Sequence, residues 1–497
     1  MTSTLTSGDD DNAKIRRSNQ HVAALVASLG GFSLGITLGW NSSAGKVLRD
    51  ILDASGTEIG LVGGILNAGA CVGVALAPFL TKYLSRVATL LLTTLGFIVG
   101  WSFICLAGQK VLLLIIGRFV CGASGGAFCV LTPLYIGEIA DQNSRDRLLM
   151  YFHLLIDCGI MYAFVIAHVL DEEDAVWRYS LTCAVTCLMI PLINLLPESP
   201  LRYLARNDET NARISLKWFR GHAYKIDAEM EELKRLSLAV RSGKVQYMVE
   251  KLRNDNMTMT TPKITREVLW NWRVARSFLA CLFAFLTQQL GGVNIMLFYS
   301  LILFDFGGSG YLTVSEQTVV LGVVQVLSCL IATGLIDILG RRILLVISSA
   351  LMGLFLILLG WFHDLRERDP EYDDIYYWMS PAWTTLFFAA YNLGVGPISW
   401  SLLGDSFPME VRATAAACAA AFNWLLSLIA TMTFGEMLDT LGVPRSMWLF
   451  ASFCWLAGAL CALLVKDTRG HSLAKIQEES LGVEEGQAVE RDSPGRT

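Results

Sequence analysis

Three amides stand close together in one apolar stretch of this chain: Gln288, Gln289 and Asn294, within residues 277–301. A side-chain amide both donates and accepts hydrogen bonds and carries no charge. Polar groups of this kind are costly in hydrocarbon and are retained mostly where they are used. Gln288 and Asn294 are six residues apart, nearly two helical turns, and Gln289 and Asn294 are five apart, so a helix lets all three border one cavity. This is the chemistry of holding an uncharged polar ligand; the competing use is hydrogen bonding between helices, at about 0.6 kcal/mol each. A second constellation pairs His153 with Asp157, one turn apart on one helix face. Both a self-satisfied buried pair and a proton-responsive site fit that spacing, because imidazole titrates near neutrality. No nucleotide-binding loop, metal-ligand cluster or nucleophile–base arrangement accompanies them, so neither an enzyme, a cofactor nor a bound metal is expected. The 12 cysteines lie in or beside apolar stretches without a CxxC, which suits small packing residues better than disulfides or zinc.

The elements that must position these groups are membrane spans. Residues are 54% hydrophobic and only 17% charged, with a mean hydropathy of +0.49; soluble chains run at about 25% charged. Apolar stretches fall near 20–41, 59–80, 88–107, 111–133, 149–170 and 179–197, and again near 277–301, 318–338, 343–362, 381–403, 413–434 and 447–465. Each is close to the roughly 20 residues that cross a bilayer as a helix. The pattern predicts an all-α membrane protein with twelve transmembrane helices in a six-plus-six arrangement. Its predicted divisions are a tail at 1–19, a six-helix bundle at 20–197, a helical linker at 198–272, a second bundle at 273–466 and a tail at 467–497.

Charge placement predicts orientation. Lys82, Arg86, Arg145, Arg147, Arg341, Arg342 and Arg412 crowd alternate turns, and residues 198–276 hold 16 Lys/Arg against 10 Asp/Glu. The opposite loops are poorer in basic residues, and one is acidic from Asp171 to Asp174. By the positive-inside rule the linker and both termini face the cytosol. The polar start and long first apolar run predict a retained span rather than a cleavable leader. The net charge of −5 says little, because placement is what counts; the expected partners are the lipid bilayer and a small molecule, with no nucleic acid.

A phrase recurs once per half. Gly334 to Arg342 reads GLIDILGRR and Ala77 to Arg86 reads APFLTKYLSR, each on a turn between apolar segments. Duplicated units of this kind mark carriers built from internal repeats. Mixed-sign charges at these turns suit a reversible lock between halves: Asp337, Arg341 and Arg342 with Glu138 and Arg145, extended by Glu198, Asp405, Arg412 and Asp467. Half-exposed pairs contribute about 1 kcal/mol or less each, which suits a gate. Gly394, Gly396 and Pro397 remove bulk and a backbone hydrogen bond, giving a place to bend. The amphipathic stretch Asp227–Leu238 predicts a linker helix, read as part of a clamp on the two halves.

Several phrases together resemble the sugar porters of the major facilitator superfamily. They are Gly117-Arg118 with Gly122, Gly126, Pro133, Tyr135 and Glu138; Pro197-Glu198-Ser199-Pro200 with Arg202; Gln288-Gln289 through Asn294; Gly394 through Trp400 with Gly404-Asp405 and Arg412; Asn423-Trp424; and Asp467 through Leu473. Within that family the likeness is greatest to insect facilitated trehalose/glucose transporters. The resemblance implies transport of a neutral sugar, trehalose or a hexose, by alternating access at the plasma membrane, as a monomer. It adds Gln325, Asn392, Trp400 and Asn423 to the substrate-binding set, and His153 where the family generally has a substrate-binding Gln. Four departures stand out. The first-half turn has Lys82 for an acid and Ser85 for a glycine, so one side of the lock is expected to be weakened or re-wired. Leu201 is an extra residue before Arg202, and Ser399 replaces a second proline, predicting a stiffer or displaced hinge. Thr37 stands where proton-coupled members commonly have Asp, opposite Arg118 in span 4, which favours facilitated diffusion. Asp157 with His153 keeps a proton-coupled sugar or polyol symporter as the alternative, and a non-transporting sugar sensor is the other.

Overall fold

The computed structural model describes residues 17–52, 56–108, 110–170, 183–221, 223–241, 272–298, 312–369, 376, 378–407 and 411–465. Asp467, Pro408 and the acidic loop at 171–174 lie outside the described residues. The first half comprises α1 (Ser18–Leu52), α2 (Gly56–Tyr83), α3 (Arg86–Cys105), α4 (Val111–Ile139) and α5 (Arg145–Val169). A 3₁₀ turn at Cys183–Leu188 then leads into the short α6 (Met189–Asn194). The linker folds as α7 (Pro200–Ala205), α8 (Glu209–Arg220) and α9 (Asp227–Arg241). The second half comprises α10 (Trp272–Leu290), α11 (Val293–Phe298), α12 (Val314–Arg368), α13 (Met379–Leu393), α14 (Val395–Asp405) and α15 (Arg412–Leu464).

Among the described residues nine helical segments are long and apolar enough to cross a bilayer. Two of these are double. Gly340 (φ 79°) folds α12 into two limbs and Gly442 (φ 76°) does the same for α15, in a backbone region that disfavours any residue with a Cβ. Taking each limb by itself gives eleven such segments among the described residues, and the shorter apolar helix at Val185–Asn194 lies within the remaining stretch read from hydropathy. Large apolar side chains such as Phe79, Leu112, Ile331, Met432 and Leu456 remain exposed around the molecule. In water that surface would drive association; in a bilayer it is the lipid contact.

Without a hydrophobic force between helices in lipid, close backbone packing must hold the bundle. Small residues supply it. A Cβ on Gly126 of α4 would meet the Ala70 carbonyl of α2, and one on Gly35 of α1 would meet the Ile156 carbonyl of α5. The two halves meet along α2 against α15 and α5 against α12, and α14 packs on α4 and α5.

The linker packs differently from the clamp expectation. Met230, Leu233 and Leu236 of α9 bury against Leu201, Leu204, Ala212 and Leu216, forming a small core of their own. This core is pinned to the first half: Asn19 donates to the Trp218 carbonyl (2.7 Å), Gln20 to Phe219 (3.2 Å) and Arg220 to Ile139 (2.7 Å). Among the described residues the linker is thus an extension of one bundle. The side of the molecule that carries it is called the linker face below.

Candidate functional site

Span 7 is not the continuous helix assumed from spacing. It breaks at Gly291 and Gly292 (φ 82°), so Gln288 and Gln289 end α10 while Asn294 begins α11. The break still brings the amides together. Asn294 Nδ2 donates to Gln289 Oε1 (2.9 Å) and to Ser427 Oγ (2.6 Å), and Gln289 Nε2 donates to Asn423 Oδ1 (2.8 Å). Gln288 Nε2 turns the other way and donates to Tyr391 Oη at 2.7 Å. The Tyr391 ring stands edge-on to His153, with centroids 5.6 Å apart.

His153 reaches across the halves. Its Nε2 lies 2.9 Å from Asn392 Oδ1, but 3.8 Å from Asp157 Oδ1. The i,i+4 spacing does place Asp157 on the same face, yet the ring's hydrogen bond goes to α13 and not to its neighbour on α5. Asp157 is buried beside the Cys329 thiol, and Gln325 sits one turn before Cys329 on α12. Trp400 is walled by aromatic rings: Phe285 at 5.1 Å, Trp424 at 6.2 Å and Phe152 at 6.3 Å between centroids.

Buried polar atoms normally find partners. Among the described residues, Gln288 Oε1 and His153 Nδ1 have no hydrogen-bond donor, and Gln325 Nε2, Asn392 Nδ2 and Asn423 Nδ2 have no acceptor. With Nε2 protonated toward Asn392, His153 Nδ1 is an acceptor. These side chains present two acceptors and three amide donors on uncharged groups, and Asp157 beside His153 adds a buried carboxyl oxygen, Oδ2, that has no partner among the described residues. Such a set matches a ligand whose groups both donate and accept, which is what hydroxyls do.

The helix break near this cluster is built, not merely permitted. Gly394 separates α13 from α14, and Pro397 has no N–H to give the carbonyl four residues back. Ser348 of α12 stitches the gap: its Oγ accepts from Val395 N (2.9 Å) and donates to the Ala390 carbonyl (2.7 Å). A Cβ on Gly394 would lie 2.5 Å from the Leu344 carbonyl oxygen, and one on Gly396 would lie 2.6 Å from His153 Nε2. Ser399, in the place of a second proline, donates to the Val395 carbonyl at 2.5 Å.

At the linker face, charges join the halves through partners the sequence did not single out. Arg341 is fully buried and bonds both Asp405 (2.8 and 2.9 Å) of its own half and Asp146 (2.5 Å) of the other. Arg147 pairs with Asp337 across the halves. Arg145 is buried within electrostatic reach of Asp405 and Asp146. Arg412 donates to the Phe407 carbonyl at 3.0 Å. Glu138 pairs with Arg86 of its own half at 2.8 Å and lies within electrostatic reach of Arg412 of the other, whereas Arg342 is exposed with no ion pair to a described residue. Glu198 accepts from the backbone N–H groups of Arg86 (3.1 Å) and Val87 (3.3 Å), capping the positive end of α3. The pairs are also not uniformly half-exposed. Arg147–Asp337 is, but Arg341–Asp405 is fully buried, a regime in which removing one partner costs about 3–5 kcal/mol.

The degenerate first-half turn has its own solution. Ser85 takes an ordinary N-cap conformation (φ −73°) and its Oγ accepts from Ala88 N at 3.1 Å, so no glycine is needed there. Lys82 places its ammonium 5.6 Å from the Tyr83 ring centroid. Arg118, in the middle of α4, donates to the Thr37 carbonyl (2.5 Å) and the Val62 carbonyl (3.3 Å), and lies over the Trp40 ring at 5.1 Å.

Tyr391, Ser427, Ser348, Asp146 and Arg147 are the participants that spacing did not reveal. A tyrosine or serine in an apolar run reads as packing. Asp146 and Arg147 lie beside the Arg145 that was read, but which of three adjacent charges faces the other half depends on helix rotation.

Comparison with known proteins shows the family and the fold of the chain. The profile of the family "Sugar (and other) transporter" matches residues 14–479. The facilitated trehalose transporter Tret1 of Bombyx mori is 32% identical over 461 residues, covering 92% of this chain and 86% of the relative. That of Culex quinquefasciatus is 30% identical, covering 93% and 86%. Among solved structures, the proton:xylose symporter XylE bound to 6-bromo-6-deoxy-D-glucose superposes with a TM-score of 0.76 at 21% identity, over 93% of this chain and 99% of that one. With Gln289, Asn294 and Asn423 joined by hydrogen bonds in its second half, this helical chain belongs to the sugar transporter family of the major facilitator fold.

Proposed function

We propose that this protein is a facilitative carrier for trehalose or a hexose, with the linker face in the cytosol of a plasma-membrane protein. The observation that carries the reading is the set of unpaired buried groups: acceptors Gln288 Oε1 and His153 Nδ1, and donors on Gln325, Asn392 and Asn423. A sugar satisfies both kinds at once, since each hydroxyl donates and accepts. An anion would leave the acceptors unmet, and a cation would leave the three amide donors unmet even if Asp157 Oδ2 received it. Gln289, Asn294 and Trp400 complete the site, as an amide brace and an aromatic surface for the apolar face of the ring.

Alternating access follows from the charges. When the linker face opens, Arg341 keeps Asp405, which travels with it, and gives up only Asp146. Arg147–Asp337 breaks at little cost, being partly solvated. The two states therefore remain close in free energy, as a carrier requires. Glu138, Glu198 and Arg412 hold the ends of the helices that move, and Gly394 with Gly396 and Pro397 absorbs the bend. Facilitated rather than proton-driven movement is supported by the similarity to the Tret1 relatives.

The test is uptake of labelled trehalose and glucose into vesicles or oocytes expressing the chain, with and without a protonophore, beside a Gln288→Ala control. Saturable uptake whose KM the control raises and which the protonophore leaves unchanged is the expected result. Uptake that collapses with the proton gradient would instead place Asp157 and His153 in a coupling role.

A further inference from the structure

Among the described residues, polar contacts join the halves at several levels. At the linker face stand Arg341–Asp146 and Arg147–Asp337; at the opposite face His168 Nδ1 lies 3.0 Å from Ser315 Oγ; between them Asp157 lies beside the Cys329 thiol and His153 bonds Asn392. The His153–Asn392 contact is unlike the others, because it joins two residues of the proposed sugar site. His153 is 3% exposed and Asn392 is fully buried. Both have a second polar atom, Nδ1 and Nδ2, with no partner among the described residues.

We propose that the bond from His153 to Asn392 ties the two halves across the sugar site, and that a substrate hydroxyl displaces this tie on binding. The inference rests on the carrier reading above and deepens it. A hydroxyl entering between the two accepts from Nε2–H and donates to Asn392 Oδ1. One direct bond between halves becomes two bonds to the ligand, while Nδ1 and Nδ2 remain for neighbouring hydroxyls. The unloaded carrier therefore has to break a buried hydrogen bond to rock, whereas the loaded carrier exchanges it. Three features of the second half hold the imidazole in reach. Gly396 leaves room beside Nε2, where a Cβ would lie at 2.6 Å. Tyr391 meets the ring edge-on at 5.6 Å, and Gln288 holds Tyr391 through its hydroxyl at 2.7 Å. Asp157 Oδ1, 3.8 Å from Nε2, is too distant to take the bond. A glutamine at 153 would reach Asn392 with a flexible amide; the ring does so with far fewer rotamers to lose.

The experiment uses the full chain in lipid nanodiscs, with spin labels placed by bio-orthogonal chemistry at Tyr83 and Ile338, which are exposed on the linker face at 61% and 70%. Label distances are measured for the wild type, His153→Phe, Asn392→Leu and the double variant, with and without trehalose or glucose, and uptake is followed in parallel. Each single variant is expected to raise the open-to-closed ratio of the sugar-free carrier about fivefold, the size of one net hydrogen bond. The double variant should go no further, and His153→Gln should restore most of the closed population. Asn392→Leu attacks the bond from the other half, so a folding defect in one variant leaves the other informative. Additive shifts, or unchanged distances in singles that lose uptake, would overturn the tie and leave His153 and Asn392 as substrate contacts. A wild type that carries neither sugar would overturn the carrier reading, whatever the distances do.

Discussion

Gln288 spends its donor on Tyr391 and keeps its acceptor unpaired, so the two residues divide the work of one contact. Gln288→Ala removes both groups, and the expected result is a KM for trehalose or glucose uptake raised about tenfold, the scale of a lost hydrogen bond in a buried site. Tyr391→Phe frees the Gln288 amide to turn toward the ligand, so a rise of only about threefold is expected from the same concentration series. Equal losses in both variants would show that Tyr391 meets the sugar directly. The amides were legible in the sequence because a buried polar group in an apolar run has few bland explanations. Tyr391 was not, since its ring satisfies the hydropathy of the span and only the folded chain shows where its hydroxyl lies.

The break between α13 and α14 raises a question at the scale of the element: where do the freed backbone groups go? Ser348, on a helix distant in sequence, takes two of them. Ser348→Ala should leave the Val395 N–H buried and unpaired, at about 1–3 kcal/mol. A lower thermal unfolding midpoint of the detergent-purified protein checks this, and an unchanged midpoint would mean the break finds another acceptor. The glycine and proline of the break were plain in the sequence because their backbone effects are local. Its serine partner was not, because nothing in a run of apolar residues marks one hydroxyl as facing a gap. Glycines divide in the same way. Gly126→Val is expected to cost folded yield, because α2 must move off α4, whereas Gly334→Ala meets nothing within 4 Å and should leave yield and melting unchanged.

For the whole molecule, the two carboxylates on Arg341 should behave differently when removed. Asp405 shares its half and compensates the buried guanidinium in every state, so Asp405→Asn should destabilise the protein by about 3–5 kcal/mol. Asp146 belongs to the other half and is lost whenever the linker face opens, so Asp146→Asn should shift the open-to-closed ratio with a smaller fall in melting temperature. Paired measurements of melting and label distance separate the two; matching effects from both variants would mean that Arg341 does not distinguish its partners. The linker is expected to move with the first half throughout, since Asn19, Gln20 and Ile139 fasten it there.

The number of crossings, the repeat and the amides were present in the sequence alone, because hydropathy, charge and turn chemistry act over distances shorter than a helix. The breaks at Gly292 and Gly394 were local as well, although the first was read as continuous helix. Only the tertiary structure decided which groups meet across the halves: His153 with Asn392, Arg341 with Asp146, Arg147 with Asp337. Those pairs lie about 190 to 240 residues apart, and their choice depends on how each helix is rotated in the bundle. In lipid that rotation is set by close packing of small residues, a property of two surfaces together that neither sequence segment carries by itself.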